Sequence, residues 1–225
     1  MAGKAAAAAL ANAMEKADED AKPIPDTKAE PCKDCGEIKC FNPPKDSSPE
    51  EIEEFKRQLQ EQQDGINRIP PDQLVSNMDR YSQFGRPAGD AAARRQVRND
   101  WLQRRTQELT VPGTSESAAR DLARKELSTL DALHAPDLAA GGDGTFADRG
   151  VGPSSTNRSI GPQWDEGRRG QLKDHARRAK EQGKRNNVKL EMCPQKGSKG
   201  GSGSYAGTGG GAPGEGTGTG SPPVS

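Results

Sequence analysis

The chain has few of the residues that build a hydrophobic core. Only 30% of its 225 residues are hydrophobic and 4% are aromatic, whereas 27 are glycine and 17 are proline. Twelve of the 27 glycines follow Lys196, in Gly-Ser and Gly-Thr runs that can bury almost no apolar surface. A packed core must therefore be confined to part of the chain, and we expect disordered termini. No apolar stretch reaches the roughly 18 residues that a membrane helix needs, so we predict no membrane insertion.

The chain also has no net charge, because 33 basic side chains balance 33 acidic ones. This balance argues against a nucleic-acid partner held by bulk electrostatics alone. The charges are unevenly distributed, however. Residues 46–64 are rich in glutamate, whereas residues 168–189 contain nine bases and two acids. A folded domain of this sequence could therefore present one basic face while remaining neutral in total.

Hydrophobic spacing predicts four amphipathic helices. The first is expected to begin at Ser48, since Pro49 and Glu51 follow in the pattern of an N-cap with a capping box. Four apolar residues then recur at helical spacing: Ile52, Phe55, Leu59 and Ile66. The other helices are expected at about residues 70–85, 89–109 and 115–134, the last with an apolar stripe of Ala119, Leu122, Leu130 and Leu133. Helices of this kind can bury one another.

The pattern becomes irregular after the fourth helix. Residues 135–163 are glycine-rich and predict a loop whose length is typical of functional or disordered segments. A basic helix is expected at about residues 170–182, and residues 188–192 alternate like a short closing strand. The expected fold class is mainly α (α+β): a helical domain with a long Gly-rich active-site loop and a short C-terminal strand.

The chain contains only two histidines. His134 lies at the expected end of the fourth helix, and Asp137 follows three residues later. A helix C-terminus and a nearby carboxylate both favour the charged imidazolium, which suits acid–base chemistry. A neutral imidazole and a carboxylate could also hold a divalent ion that activates water. On spacing alone, a histidine hydrogen-bonded to a turn aspartate is the more common alternative.

Further motifs, in order along the chain, resemble the polymorphic toxin type 15 domain. They are Cys40-Phe41, Gln58-Leu59-x-Glu61-Gln62-x-Asp64-Gly65-Ile66-Asn67, Leu130-x-x-Leu133-His134-x-Pro136-Asp137, Gly141-Gly142, Asn157-x-Ser159-Ile160-Gly161-x-Gln163-Trp164 and Asn187-Val188-Lys189-Leu190-Glu191. The resemblance covers roughly residues 40–193. An ordered series of this kind is far more specific than the His-x-x-Asp pattern alone.

The resemblance implies a nuclease toxin used in interbacterial competition, in particular a DNase effector of the type VI secretion system. It assigns the catalytic His-x-x-Asp motif to His134 and Asp137, which would hydrolyse DNA phosphodiesters with the help of Mg²⁺. It further implies a cognate immunity protein and a secretion carrier or adaptor. The alanine-rich start is too weakly hydrophobic for a signal peptide. We therefore expect synthesis in the bacterial cytoplasm, export by a specialised system and action in the target-cell cytoplasm.

Substrate-binding residues are expected in two places. Polar side chains of the Gly-rich loop could bind phosphate or position water, and bases of the following helix could hold the DNA backbone. The candidates are Asn157, Arg158, Ser159, Gln163, Arg168, Arg169, Lys173 and Arg177. For any single base, a solvated helix face is the alternative. Trp164 is expected in the core rather than stacked on a base, and His175 is expected at the surface.

The cysteines admit three interpretations. Cys32-x-x-Cys35 has the spacing of a zinc knuckle, which Cys40 and Cys193 could complete as a structural site. Disulfides and free buried thiols are the other two. The expected organisation is an Ala-rich segment and linker (1–31) that could serve delivery, a cysteine cluster (32–40), a toxin nuclease domain (40–195) and a disordered Gly/Ser/Thr tail (196–225). An RNase toxin and a non-catalytic, zinc-stabilised helical binding module are the alternative functions.

Overall fold

The computed structural model describes residues 29–165 and 167–195. Within them, six α-helices and a two-stranded sheet follow in the order α1 (Pro49–Arg68), α2 (Pro71–Phe84), α3 (Asp90–Leu109), α4 (Glu116–Leu127), β1 (Leu130–His134), β2 (Phe146–Pro153), α5 (Ser154–Ile160) and α6 (Arg168–Glu181). Short 3₁₀ segments span Leu138–Ala140 and Gly161–Asp165. The structure is of the expected class, mainly α (α+β). The expectations for the alanine-rich start and the Gly/Ser/Thr tail concern residues 1–28 and 196–225, which lie outside the described residues.

The first three helices form where the sequence predicts them. The Glu51 N–H donates to Ser48 Oγ at 3.2 Å, and the Ser48 N–H donates to Glu51 Oε2 at 2.8 Å, which completes the capping box. Helix α2 ends at Gly85, whose φ of 70° lies in the left-handed region where glycine is the least strained residue. The local signals of capping and chain breaking therefore set these boundaries.

The prediction of a fourth helix extending to His134 is wrong. Helix α4 ends at Leu127, and residues 130–134 form strand β1, paired antiparallel with β2. Their register aligns Ala132 with Val151 and His134 with Phe146. This pairing joins segments that are distant in the chain, and tertiary context of that kind overrides helix propensity. Leu122, predicted in the apolar stripe, is 52% exposed.

The prediction of one long irregular loop over residues 135–163 is also wrong. Strand β2, helix α5 and the first 3₁₀ segment fall within this stretch, and the second 3₁₀ segment begins in it. The connection between β1 and β2 spans only residues 135–145, and it contains the first 3₁₀ segment. The glycines there serve tight turns, as at Gly141 with φ of 84°.

The predicted closing strand at residues 188–192 is an extended segment with a single parallel bridge, between Phe41 and Met192. Side chains of α1 satisfy much of its backbone. The Val188 N–H donates to Asn67 Oδ1 at 2.8 Å, and Asn67 Nδ2 donates to the Val188 carbonyl at 3.1 Å. The Leu190 N–H donates to Gln63 Oε1 at 2.9 Å. These amides supply the hydrogen bonds that a neighbouring strand would otherwise provide.

The main core lies between α1, α2, α6 and the extended segments at either end of the domain. Its members include Phe41, Phe55, Leu59, Ile66, Leu74, Ile160, Trp164, Leu172, Val188 and Leu190. Trp164 is fully buried, with its ring centroid 5.0 Å from that of Phe41, which confirms its expected place in the core. Helix α3 packs against α4 and both strands, yet its buried residues are the polar Asp90 and Thr106.

Of the three interpretations of the cysteines, the structure has the disulfides and not the structural zinc site. Cys32 is bonded to Cys35 and Cys40 to Cys193, and no free cysteine is found among the described residues. Disulfide sulfurs are not the thiolates that zinc requires. The Cys40–Cys193 bond joins residues 153 positions apart and so links the segment before α1 to the segment after α6. No helix in the described part of the chain is long and apolar enough to cross a membrane.

Candidate active site

The His-x-x-Asp segment forms a turn between β1 and the first 3₁₀ segment. His134 is the last residue of β1, and the following Ala135–Pro136 peptide bond is cis. Asp137 caps the 3₁₀ segment, because its Oδ1 accepts the Ala139 N–H at 2.8 Å. The motif is therefore held at a strand end, not at the helix end that the sequence suggested.

One buried side chain of α1 holds both ends of the motif. Gln62 Nε2 donates to the backbone carbonyl of His134 at 2.9 Å, and Gln62 Oε1 accepts the Asp137 N–H at 2.5 Å. Gly65, almost one turn further along α1, lets the motif approach closely, because a Cβ there would lie 2.6 Å from Pro136 Cδ. Helix α1 thus sets the position of the motif in two ways: the Gln62 amide binds it, and Gly65 has no side chain to keep it away.

The imidazole of His134 is buried between an aromatic ring and a carboxylate. Its ring stacks on Phe146, with centroids 4.4 Å apart. Its Nε2 lies 3.0 Å from Asp90 Oδ1. Asp90 is the first residue of α3, and its side chain is only 4% exposed. The sequence motifs do not include this carboxylate.

Burial lowers the pKa of His134 below its ordinary value, because the buried site disfavours the charged ring. The carboxylates of Asp90 and Asp137 raise this pKa, whereas Arg86 and Arg94 lower it further. Burial outweighs the carboxylates, so the net shift of the pKa favours the neutral ring. The helix C-terminus that was expected to favour the imidazolium is absent, because His134 ends a strand.

Arginines from α3 and the preceding turn surround this pair. Arg86 Nη1 and Arg94 Nε donate to Asp90 Oδ2 at 3.3 and 2.9 Å. Arg98, one turn beyond Arg94, donates to the backbone carbonyls of Leu127 and Leu130. None of the sequence motifs includes these residues. On α3, the spacing of four from Asp90 to Arg94 and Arg98 is the signal that could have found them, because residues four apart share a helix face.

A cavity of about 440 Å³ opens beside His134, with a predominantly polar lining. Its lining residues are Arg86, Arg94, Arg98, Ser128, Leu130, Asp131, Ala132, His134, Asp137, Asn157 and Arg158. The structure thus brings together four of the residues predicted from the sequence: His134, Asp137, Asn157 and Arg158. Arg158 makes two hydrogen bonds to the Asp131 carboxylate, at 3.0 and 3.1 Å, and its side chain is 73% exposed.

Ser159 and Gln163, two further predicted site residues, do not line the cavity. Ser159 Oγ donates to the Thr156 carbonyl at 2.8 Å. The Gln163 amide is paired with the backbone of Asn42, accepting its N–H and donating to its carbonyl, each at 2.8 Å. Both side chains have structural partners, because the predicted loop is folded into α5 and a 3₁₀ segment.

The four bases predicted on the following helix also lie away from the cavity. Arg168 is fully buried, donates to the carbonyls of Lys39, Cys40 and Gln163, and has its guanidinium carbon 4.6 Å from the centre of the Phe41 ring. The other three are paired with carboxylates: Arg169 with Asp165, Lys173 with Asp79 and Arg177 with Asp174. The expected contribution of Arg168 to a substrate surface is wrong, because its charge is enclosed by backbone oxygens.

His175 is buried, which contradicts its expected place at the surface. Its Nδ1 lies 3.0 Å from the Gly36 carbonyl, and the Asn187 N–H lies 3.3 Å from its Nε2. Burial lowers the pKa of this ring, and the nearby Arg178 lowers it further, although the Gly36 carbonyl raises it. His175 ties α6 to both ends of the domain.

The residues of the motif fit the implied magnesium ion only in part. Mg²⁺ prefers oxygen ligands and is often held by one or two carboxylates together with water and substrate phosphates. Asp137 offers such a carboxylate at the cavity, whereas the Nε2 of His134 is already engaged by Asp90. Among the described residues, no group of three or more His, Cys, Asp or Glu side chains is arranged to hold a metal. These residues therefore fit a magnesium ion whose remaining ligands come from the substrate phosphate and water.

A match to a protein-family model identifies the class of protein to which this domain belongs. Residues 49–193 match the family model described as Novel toxin 15, a stretch that contains α1 to α6 and the cavity. The domain is a toxin domain. The chain belongs to the Novel toxin 15 family, the polymorphic toxin type 15 domain that the order of motifs indicated. A search of curated proteins gave no match.

Proposed function

We propose that this toxin domain is a nuclease that hydrolyses DNA phosphodiester bonds in the cavity beside His134. The observation that carries the proposal is the combination of a buried imidazole with a nearby carboxylate and four arginines in one polar cavity, and burial lowers the pKa of that imidazole. A neutral imidazole can accept a proton from water, and arginines complement phosphate in both charge and shape. The DNA substrate is proposed from the family resemblance.

The four arginines have structural partners, yet they retain the capacity to bind phosphate. Each guanidinium group has five N–H donors, and the partners of Arg86 and Arg158 use only one or two of them. The carboxylates of Asp90 and Asp131 thus orient cations that a substrate can still reach. In the proposed reaction, water attacks phosphorus and His134 takes one proton of the water. The bond between phosphorus and one sugar oxygen breaks, and that oxygen leaves as a hydroxyl after taking up a proton. The arginines stabilise the negative charge that develops on the phosphate oxygens.

Magnesium would be held by Asp137 together with the phosphate. When bound, it would supply positive charge to the phosphate oxygens and to water. Treatment of the purified protein with a chelator is expected to abolish cleavage, and Mg²⁺ is expected to restore it. Unchanged cleavage in the chelator would remove magnesium from the proposal while leaving His134 and Asp137 to be tested by substitution.

The central test is plasmid cleavage by the purified full chain and by the His134→Ala and Asp137→Ala variants. We expect each variant to cut at least about 100-fold more slowly, the range typical of a lost general base. Asp174→Ala is the matched control, because Asp174 lies on the exposed surface of α6 and away from the cavity. Thermal unfolding of each variant shows whether it is folded. Cleavage by folded His134→Ala and Asp137→Ala at the wild-type rate would contradict the proposal.

An RNase toxin is the second candidate. No Phe, Tyr or Trp side chain is among the described residues that line the cavity. A lining of arginines and short polar groups favours recognition of phosphate rather than of bases, so it accommodates either nucleic acid. DNA and RNA of matched length, supplied in one reaction, distinguish the two candidates. We expect the DNA to be degraded first, and preferential loss of the RNA would assign the RNase activity instead.

We also propose a biological setting for this toxin. It would be exported through a type VI secretion carrier or adaptor, act in the cytoplasm of the target cell and be neutralised by a cognate immunity protein. The arginines of the cavity are a suitable target for an acidic surface of that protein. Competition between DNA and the immunity protein for the toxin tests this surface. Simultaneous binding of both would place the immunity protein elsewhere.

A further inference from the structure

Asp90 lies between two arginines on one side and His134 on the other, and these three neighbours line the cavity. Its Oδ2 accepts from Arg86 and Arg94, at 3.3 and 2.9 Å, and its Oδ1 lies 3.0 Å from His134 Nε2. The side chains of Asp90 and His134 are 4% and 7% exposed. The two oxygens of this buried carboxylate therefore face nitrogen atoms on opposite sides, and its charge acts on the imidazole at close range.

The distance to Asp90 indicates which nitrogen of His134 carries the proton. A carboxylate oxygen only accepts, and at 3.0 Å its negative charge would repel a lone pair on Nε2, so the contact favours the proton on Nε2. In a neutral imidazole, Nδ1 then keeps its lone pair. No hydrogen-bond partner of Nδ1 is found among the described residues, and His134 lines the cavity.

We propose that Asp90 is a positioning residue that holds His134 in the Nε2–H tautomer and thereby leaves Nδ1 as the basic nitrogen of the site. The role of Nδ1 in proton transfer rests on the proposed nuclease function, whereas the tautomer itself does not. An acid that fixes the tautomer of a catalytic histidine acts through the orientation of the ring and never contacts the substrate.

His175 provides an internal reference in the same molecule. The Gly36 carbonyl only accepts, so His175 Nδ1 is the donor in that contact. The Asn187 N–H only donates, so His175 Nε2 is the acceptor. The two histidines of the chain are therefore expected in opposite tautomers, which nitrogen NMR distinguishes directly.

Asp90→Asn is the informative substitution, because hydrogen bonds from neighbouring side chains fix the orientation of the new amide. Arg86 and Arg94 both donate to Oδ2, so the amide oxygen is expected to take that place and the amide NH₂ to face His134. An NH₂ group donates to Nε2 and forces the proton onto Nδ1. The substitution keeps the shape of the side chain and inverts the tautomer. Asp100→Asn is the matched control, since Asp100 lies on the same helix, is paired with Gln96 and does not line the cavity.

The experiment records two-bond proton–nitrogen NMR spectra of the full chain, labelled with ¹⁵N-histidine, at neutral pH. Each of the variants His134→Gln and His175→Gln retains a single histidine, so its spectrum assigns the signals of that histidine. We expect His134 as Nε2–H and His175 as Nδ1–H in the wild type. In Asp90→Asn we expect His134 as Nδ1–H, unchanged His175 signals and cleavage slower by on the order of 100-fold. Asp100→Asn should match the wild type in both measurements.

Three results would overturn the proposal: an Nδ1–H tautomer for His134 in the wild type, an unchanged His134 tautomer in folded Asp90→Asn, or cleavage by Asp90→Asn at the rate of Asp100→Asn. The wild-type spectrum tests the proposal even if Asp90→Asn does not fold. A wild-type protein that cuts neither DNA nor RNA would contradict the nuclease function instead, and the spectra would still decide the tautomer.

Discussion

Gln62 donates its side-chain N–H to the backbone carbonyl of His134 at 2.9 Å, across 72 positions of sequence. The same amide accepts from the backbone of Asp137, so a single residue of α1 sets the spacing of the motif. The precision of the candidate site therefore depends on a side chain that does not itself line the cavity.

Replacing Gln62 by leucine should destabilise the domain and impair the site together. The substitution leaves a buried carbonyl and a partly buried N–H without partners, which should cost about 2 kcal/mol in the free energy of unfolding. Urea unfolding measures this change, and plasmid cleavage is expected to fall as well. Gln60→Leu is the control, because Gln60 bonds only to Asp64 on the exposed side of α1. Equal free energies of unfolding for the two variants would contradict the role given to Gln62.

Gly65→Ala should destabilise the domain, although alanine normally stabilises a helix. A Cβ at residue 65 would lie 2.6 Å from both Cδ and N of Pro136, and backbone atoms cannot move aside cheaply. We expect a loss of about 2 kcal/mol in the free energy of unfolding. At Gly170, in the first turn of α6, a Cβ would meet nothing within 4 Å. Gly170→Ala should therefore stabilise the domain by about 0.5 kcal/mol, and a loss at both glycines would refute the steric explanation.

Acidification should destabilise the fold through His175. Burial lowers the pKa of this ring in the folded state below the ordinary value of 6.5, so the unfolded chain binds the proton more readily. Stability should be fully present above about pH 6.5 and decline as the pH falls toward the folded-state pKa. Nearby Arg178 strengthens the effect, and His134 contributes in the same direction.

His175→Asn isolates this contribution. Its amide NH₂ can still donate to the Gly36 carbonyl but does not titrate, so the dependence of the free energy of unfolding on pH should become shallower. Urea unfolding of both proteins between neutral and mildly acidic pH gives the two slopes. Slopes of equal size would show that His175 is not the group responsible.

Arg158→Ala should weaken DNA binding, whereas Arg177→Ala should not. Arg158 lines the cavity, and its loss should cost about 1.5 kcal/mol, roughly tenfold in Kd, because its hydrogen bonds to phosphate involve charged groups. Arg177 is exposed and paired with Asp174 away from the cavity. Titrations at several salt concentrations, with the His134→Ala variant as background to prevent cleavage, measure both affinities. A larger loss of DNA affinity in Arg177→Ala than in Arg158→Ala would indicate that DNA binds to the basic helix α6 instead.

Local signals in the sequence were sufficient for part of the fold. The capping box at Ser48 and the glycine at Gly85 mark helix ends through hydrogen bonds and backbone conformations that involve only neighbouring residues. Strand β1 could not be predicted this way, because its partner β2 begins after a twelve-residue separation from His134 and pairs with it only in the folded chain.

The sequence by itself determined the helices of the first half, the family and the His134–Asp137 motif, since each of these depends on local spacing or on the order of motifs. Tertiary structure decided which charges surround that motif. Asp90 is buried beside His134 because α3 packs against β1, whereas Arg168, in the most basic stretch of the chain, is enclosed by backbone carbonyls. The physical reason is that burial and partners, which belong to the folded state, determine whether a charge can meet a substrate.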